Sequence, residues 1–195
     1  LDERMLDIPK LGCINLHMAP LPQYRGAHPE NWAIINGEKE MGFTVHYLDK
    51  GIDTGDIILQ SSVPILSSDT IISLTYKLAE AGPELVLDAL RHIKIGNAPR
   101  VPQEESKSSY FPPRKPSDGQ IDWNQSPEEV LNLVRALVRP YPGAFTIFEG
   151  KRYRIWAGET AEESGLPGEI LRWDSAAFVV ACGERSFRIL EYDIQ

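Results

Sequence analysis

Asn15 and His17 stand two residues apart in the run Gly12-Cys13-Ile14-Asn15-Leu16-His17. The run is otherwise apolar and reads as a buried strand, which sends alternate side chains to the same face. Amide and imidazole therefore project together. A polar pair at such a strand end is where open α/β sheets build sites, outside the carboxyl ends of the strands. The alternative is structural, an Asn and a His that bond loop backbone. Asp53 and Asp56 follow in the polar loop Asp49-Lys50-Gly51-Ile52-Asp53-Thr54-Gly55-Asp56. A carboxylate beside His17 would orient the ring, raise its pKa or accept a proton. Turn aspartates beside glycine are equally a structural device. No His-x-x-x-His or Cys-x-x-Cys spacing supports a metal on His17, Asp53 and Asp56, so none is expected. His28 before a helix, His46 inside a strand and His92 near a helix end read as structural or peripheral. Arg25 either meets an anionic substrate group or is an exposed loop arginine without a role.

Several elements must position these residues. Met18-Ala19-Pro20-Leu21-Pro22 is a rigid loop, because two close prolines exclude helix and central strand. Pro29 to Ile35 reads as a helix, Gly42 to Leu48 as a strand, and Ile57 to Leu66 as a strand broken at Pro64. Ile71, Leu74, Leu78, Leu85, Leu87 and Leu90 mark a long helix, kinked or broken at Gly82-Pro83. From Ala98 to Gln120 the chain is rich in Pro, Ser and Lys and has no periodicity, which reads as a linker. Ser126-Pro127-Glu128-Glu129 starts another helix. Ala144–Phe148, Tyr153–Ala157, Gly168–Trp173, Phe178–Cys182 and Phe187–Leu190 then read as five short strands of a small barrel. The expected organisation is 1–97, a linker over 98–120, and a second domain over 121–195.

The 195 residues carry a net charge of −8 and 42% apolar residues, an ordinary globular composition. No run approaches the roughly 20 apolar residues of a membrane helix, so no membrane partner is expected. The acidic balance argues against gripping nucleic-acid backbone as the main task. Cys13 and Cys182 lie far apart in apolar contexts, as reduced thiols of a cytoplasmic protein do. The chain opens at Leu1 in mid-pattern, so a fragment is expected, with an exposed apolar sheet edge near residues 11–17.

These pieces form one ordered series: Gly12 to His17, then Leu21-Pro22-Gln23-Tyr24-Arg25-Gly26, Asn31-Trp32-Ala33-Ile34-Ile35-Asn36-Gly37-Glu38, Gly42-Phe43-Thr44-Val45-His46, and Gly51-Ile52-Asp53-Thr54-Gly55-Asp56-Ile57. The series resembles the 10-formyltetrahydrofolate-dependent formyltransferases. Ile121-Asp122-Trp123, Asn132-Leu133-Val134-Arg135 and Pro140-Tyr141-Pro142-Gly143-Ala144-Phe145-Thr146 are similar to that family's C-terminal domain. The resemblance implies an α/β fold, a partial Rossmann-like formyltransferase domain followed by a small OB-like β-barrel domain. It implies a catalytic triad of Asn15, His17 and Asp53. It places the folate at Leu1 and at Leu48, Asp49, Lys50, Gly51 and Ile52, with 10-formyltetrahydrofolate as co-substrate and no metal. Ala19-Pro20-Leu21-Pro22 departs from the family's usual Ser-Leu-Leu-Pro, which removes a serine contact. Roughly a further half-domain that opens the family's chains, with much of the acceptor site, has no counterpart here.

In that family a primary amine attacks the formyl carbon and negative charge develops on the formyl oxygen. An amide donor from Asn15 and an imidazolium donor from His17 suit that oxygen, with Asp53 keeping the imidazole charged. Three acceptors compete: a nucleotide-linked amino sugar, methionyl-tRNA, and water in a hydrolase. From Ser109 to Gln195, ten Lys and Arg stand against thirteen Asp and Glu, where a tRNA-gripping barrel would be basic. Arg139 to Thr146 also looks most like an amino-sugar enzyme. The expected acceptor is therefore the amino sugar, with methionyl-tRNA as the alternative; Asp53-Thr54-Gly55-Asp56 fits the tRNA enzymes equally. A hydrolase or a non-catalytic binding fragment is the third reading. Oligomeric state is left open.

Overall fold

The computed structural model describes residues 3–174 and 178–195. After a four-residue helix, α1 (Glu3–Leu6), the alternation of Ile14 to His17 forms strand β1 (Ile14–His17). The proline loop leads into a two-residue strand, β2 (Arg25–Gly26), and helix α2 (Pro29–Ile35). Strands β3 (Glu40–Tyr47) and β4 (Ile57–Pro64) and helix α3 (Ile71–Lys94) follow, then a two-residue strand, β5 (Tyr110–Phe111). The second half holds helix α4 (Pro127–Ala136) and strands β6 (Ala144–Phe148), β7 (Lys151–Ala161), β8 (Ile170–Trp173), β9 (Phe178–Ala181) and β10 (Ser186–Ile194). Two compact units result: residues 1–32, 38–67 and 73–113 in the first, 33–37, 68–72 and 114–195 in the second.

In the first unit β1, β3 and β4 form one sheet in that order, and both pairings are antiparallel. The class is α/β, but the parallel pairing of a Rossmann-like sheet is not found among these strands. For β3 and β4 the reason is local: they turn back on each other through the 48–56 loop, whereas parallel pairing needs a crossover of a dozen or more residues; the longer β1–β3 connection does not by itself set its direction. Ile14 and Leu16 pack with Val45, Tyr47 and Ile58 against Leu85, Val86, Ala89 and Ile93 of α3. Burying that apolar face leaves Asn15, His17, Thr44 and His46 on the other one, since Asn15 pairs with His46 and His17 with Thr44. Strand β1 forms an edge of this sheet, and Ile8 and Leu11 beside it are exposed, which agrees with the open apolar edge expected near residues 11–17.

Helix α3 is one helix and not two. Pro83 removes one backbone donor, yet it sits on the exposed side, and buried Leu74, Leu78 and Ala89 hold the turns on both sides of it. In the 98–120 segment Val101 exchanges two backbone hydrogen bonds with Ile57, and β5 runs parallel to β2. Neither pairing has a periodic signature.

In the second unit the Ser126 hydroxyl accepts from the Glu129 N–H (3.2 Å) and Glu129 Oε2 accepts from the Ser126 N–H (2.8 Å), a reciprocal cap that starts α4. Val130, Leu133 and Val134 bury its apolar stripe. The five expected strands form one antiparallel sheet in the order β6-β7-β10-β9-β8. Among the described residues its edge strands β6 and β8 do not pair with each other, so the sheet is a curled half-barrel and not a barrel closed by hydrogen bonds. Aromatic rings bridge the open side. Phe148 on β6 lies 5.5 Å from Trp173 on β8, centroid to centroid. Tyr153, Tyr192 and Phe178 continue the contact across β7, β10 and β9. Each strand gives one ring, and the sheet curls until its two edges touch.

Both cysteines are free. Burial pushes the Cys182 thiol up to about 11, so it is a core group and not a nucleophile. Among the described residues no helix is long and apolar enough to cross a membrane, and no group of three metal-ligating side chains occurs.

Candidate active site

The polar face of β1 and β3 meets the 48–56 loop at one point. His17 Nδ1 lies 3.7 Å from Asp53 Oδ1, and His46 Nε2 lies 3.8 Å from the same oxygen. Asn15 Nδ2 lies 3.4 Å from His46 Nε2. Asn15, His17 and Asp53, 38 positions apart at the extremes, thus converge around a fourth residue that sequence reading set aside as structural. The strand register carries His46 there, because it is the direct partner of Asn15. A single sequence holds no signal for cross-strand pairing, so the residue was missed.

The tautomers follow from the partners. His17 Nε2 is 2.9 Å from the Tyr24 carbonyl, which only accepts, so Nε2 carries hydrogen and Nδ1 is the nitrogen that faces Asp53. His46 Nδ1 is 2.8 Å from its own neighbour's carbonyl, Tyr47 O. That fixes its hydrogen on Nδ1 and leaves Nε2 to accept from the Asn15 amide. The amide orientation of Asn15 is settled by the same contact.

Three consecutive residues hold the site from below. Tyr24 gives its carbonyl to His17, Gly26 gives its N–H to Asp53 Oδ2 (3.0 Å), and Arg25 lies between them. Glycine is required at 26: φ is +102°, and a Cβ would run into the Phe111 carbonyl of the parallel β2–β5 pair. Arg25 is buried and its guanidinium is taken up by Gln103 and Glu105. Neither sequence expectation holds for it. It is neither an exposed loop arginine nor free to meet an anionic substrate. Asp53 itself has φ +55°, a left-handed conformation that Asp tolerates better than most residues.

Of the expected folate-contacting positions, Asp49, Lys50, Gly51 and Ile52 are exposed and Leu48 is half-buried. Asp49 Oδ1 accepts from the Gly51 N–H (2.9 Å) and the Thr54 hydroxyl (2.6 Å), which shapes this turn. Leu1 lies outside the described residues. Asp56 points elsewhere, 3.6 Å from Arg100.

His46 is fully buried, and burial holds its pKa below 6.5; the Tyr47 carbonyl and the Asp53 charge oppose the shift, and His17 adds to it. The ring stays neutral while unfolded chains take up its proton near 6.5. The unfolded state therefore binds more protons as pH falls through 6.5, and the fold loses stability until the folded pKa is passed. Thermal melts at pH 7.5 and 5.5 should show a larger drop for the wild type than for His46→Gln. Equal drops would mean that this histidine does not titrate differently on folding.

Residues 1–90 match the formyl transferase family, and residues 114–195 match the formyl transferase C-terminal domain. The methionyl-tRNA formyltransferase of Carboxydothermus hydrogenoformans is 45% identical over 193 residues, which is 98% of this chain and 62% of that protein. The chain thus spans about 62% of the length of this curated relative. HypX from Aquifex aeolicus, solved with tetrahydrofolic acid, is 26% identical with a TM-score of 0.69, over 92% of this chain and 31% of that one. The N-formyltransferase from Helicobacter canadensis, solved with folinic acid and dTDP-3-aminofucose, is 24% identical with a TM-score of 0.73, over 92% and 66%. With both domain matches in sequence order over residues 1–90 and 114–195, and a relative 45% identical over 98% of this chain, the chain belongs to the formyl transferase family.

Proposed function

We propose that the full-length protein is a cytoplasmic enzyme that moves a formyl group from 10-formyltetrahydrofolate to the amino group of methionyl-tRNA. The observation that carries the transfer is the convergence of Asn15, His17 and Asp53 in a chain of this family. The relatives favour the tRNA acceptor over the amino sugar expected from the sequence. The tRNA enzyme is 45% identical, and the sugar enzyme shares the fold at 24%. The acidic balance of residues 109–195 misleads because it is an average. Arg139, Arg172, Arg185 and Arg188 each pair with carboxylates. Among the described residues Lys151, Arg152 and Arg154 on β7 make no ion pair, although Arg154 lies opposite Asp193 and feels its charge, and Arg152 covers the buried Phe145 ring. Three basic residues along one strand suit a nucleic-acid backbone better than the net charge implies.

The residues divide the work. Asn15 keeps one Nδ2 proton on His46 and has the other for the formyl oxygen as negative charge builds there. His17, tied through Nε2 to Tyr24, offers Nδ1–H to the same oxygen. Each such donor is worth about 3–4 kcal/mol of barrier. Asp53, 3.7 Å from His17 Nδ1, orients the ring and takes the proton that the attacking amine sheds. The new carbon–nitrogen bond forms, the bond from carbon to N10 breaks, and N10 gains the proton. In this reading the turn from Leu48 to Ile52, exposed from Asp49 onward, contacts the folate ring.

Incubation of the full-length protein with 10-formyltetrahydrofolate and, separately, methionyl-tRNA, an amino-sugar nucleotide or water should yield formyl-methionyl-tRNA. Formylation of the sugar alone would overturn the acceptor, formate release alone would make it a hydrolase, and no turnover would sink the enzyme reading. Replacing Lys151, Arg152 and Arg154 by Ala should raise KM for tRNA, leave KM for the folate unchanged, and flatten the salt dependence by about one unit of slope per lost phosphate contact. An unchanged slope would place the tRNA elsewhere.

A further inference from the structure

Asp53 is held at two levels. Its carboxylate takes the Gly26 N–H, and its main chain is gripped by a residue 50 positions later. Gln103 Nε2 donates to the Asp53 carbonyl and to the Gly55 carbonyl, both at 2.8 Å. The other end of the same amide is equally engaged. Gln103 Oε1 accepts from Arg25 Nε (3.1 Å) and Nη2 (2.9 Å). Arg25 has only donors, so its partner atom must be the amide oxygen, and the NH2 group must face the two carbonyls. No flipped amide satisfies both neighbours. Arg25 is 5% exposed, and its remaining edge is closed by Glu105, with Nη1 at 3.1 and 2.9 Å from the two carboxylate oxygens. A relay therefore runs from Glu105 through Arg25 and Gln103 to the backbone on both sides of Thr54.

We infer that Gln103 is a positioning residue for Asp53. Two features require such a clamp. Asp53 has φ +55°, and a non-glycine residue keeps that conformation only where its surroundings over-determine it. Asp53 also stands between two imidazoles at 3.7 and 3.8 Å, so a small shift of the loop moves the carboxylate off one or onto the other. The Gly26 N–H holds one carboxylate oxygen but leaves the backbone free to pivot. Gln103 removes that freedom by tying down the carbonyl of Asp53 and the carbonyl two residues on. Glutamine serves here where glutamate would not. Both offer an acceptor to Arg25, but only the amide has hydrogens for two carbonyls. The clamp comes from the 98–113 segment, which makes the order of that segment part of the order of the site.

The inference rests on the proposed reading of Asp53, so its test needs a readout that survives if that reading fails. In the full-length protein, Gln103→Glu keeps the Arg25 pair and loses both donors. It should lower kcat for formyl transfer on the order of a hundredfold, the cost of a misplacement near 1 Å. KM for the folate should move little, the melting temperature should fall by several degrees because two carbonyls lose their donor, and the pH profile of kcat should shift. Gln103→Ala should show the same kcat loss together with a still lower melting temperature, because Arg25 then loses a partner as well. Amide hydrogen exchange over residues 49–56 supplies the independent readout: it should rise in both variants while exchange across β1 and β3 stays unchanged. Wild-type kcat in Gln103→Glu, or unchanged exchange in the loop, would overturn the positioning role. Faster loop exchange in a protein with no formyl transfer at all would keep the clamp and remove the proposed reaction.

Discussion

Replacing His17 by alanine should lower kcat for formyl transfer by a hundredfold or more while the protein stays folded. The ring has two nitrogens and one of them is already committed. Nε2–H bonds the Tyr24 carbonyl, so only Nδ1 is left for chemistry, and it faces Asp53. Losing it removes an oxyanion donor and leaves the Asp53 charge without its closest imidazole. The structure puts it at 7% exposure, and its loss leaves the Tyr24 carbonyl without a donor. That omission costs about 1–3 kcal/mol, or several degrees in melting temperature for a chain of this size. His17→Asn keeps a donor but no charge and should retain only a trace of activity. Steady-state kinetics beside thermal melts decide the matter. Near-normal turnover removes His17 from the mechanism. Lost activity with the melt lowered by more than ten degrees supports a structural histidine.

Asp53→Asn should lose a hundredfold or more in kcat with no comparable loss of stability. The asparagine oxygen can still accept from the Gly26 N–H, and its backbone can still take the left-handed conformation, since Asn is the other residue that tolerates it. What disappears is one negative charge 3.7 Å from His17 and 3.8 Å from His46. If Asp53 orients His17 and accepts the amine proton, the second function does not survive a neutral amide. A kcat within threefold of wild type would reduce Asp53 to a turn aspartate, the structural option its glycine neighbours always allowed.

The elements were legible in proportion to how local their causes are. The apolar alternation of 14–17, the cap at Ser126 and the five strands of the second unit all follow from near-neighbour chemistry, and the structure has each of them. The antiparallel sheet of the first unit was not legible, because a strand's own residues do not say which way its neighbour runs. The site divides in the same way. Asn15 and His17 announce themselves by spacing on one strand. Asp53 stood out as a carboxylate in a loop, though its distance to His17 depends on how that loop folds back. His46 and Gln103 were invisible, since one matters through strand register and the other through a contact across 50 residues. Arg25 was misread for a related reason: a charged loop residue looks exposed until its buried partners are known.

The rings that bridge the open side of the five-stranded sheet have a consequence for how that unit can change. A barrel sealed by a hydrogen-bond ladder fixes the stagger of its first strand against its last, and any insertion near the join must keep that stagger or break the seal. Here Phe148 and Trp173 impose a separation between two side chains and nothing on the backbone register of β6 against β8. β8 is held in register by its ladder to β9, so Trp173 stays on the ring face, but among the described residues no ladder ties β8 to β6. The join asks only that a ring remain within reach. The opposite side of the sheet, where β7 and β10 are paired over eight positions, has no such latitude. Lineages carrying this unit can therefore lengthen or reshape the Phe148–Trp173 end while the β7–β10 spine stays as it is.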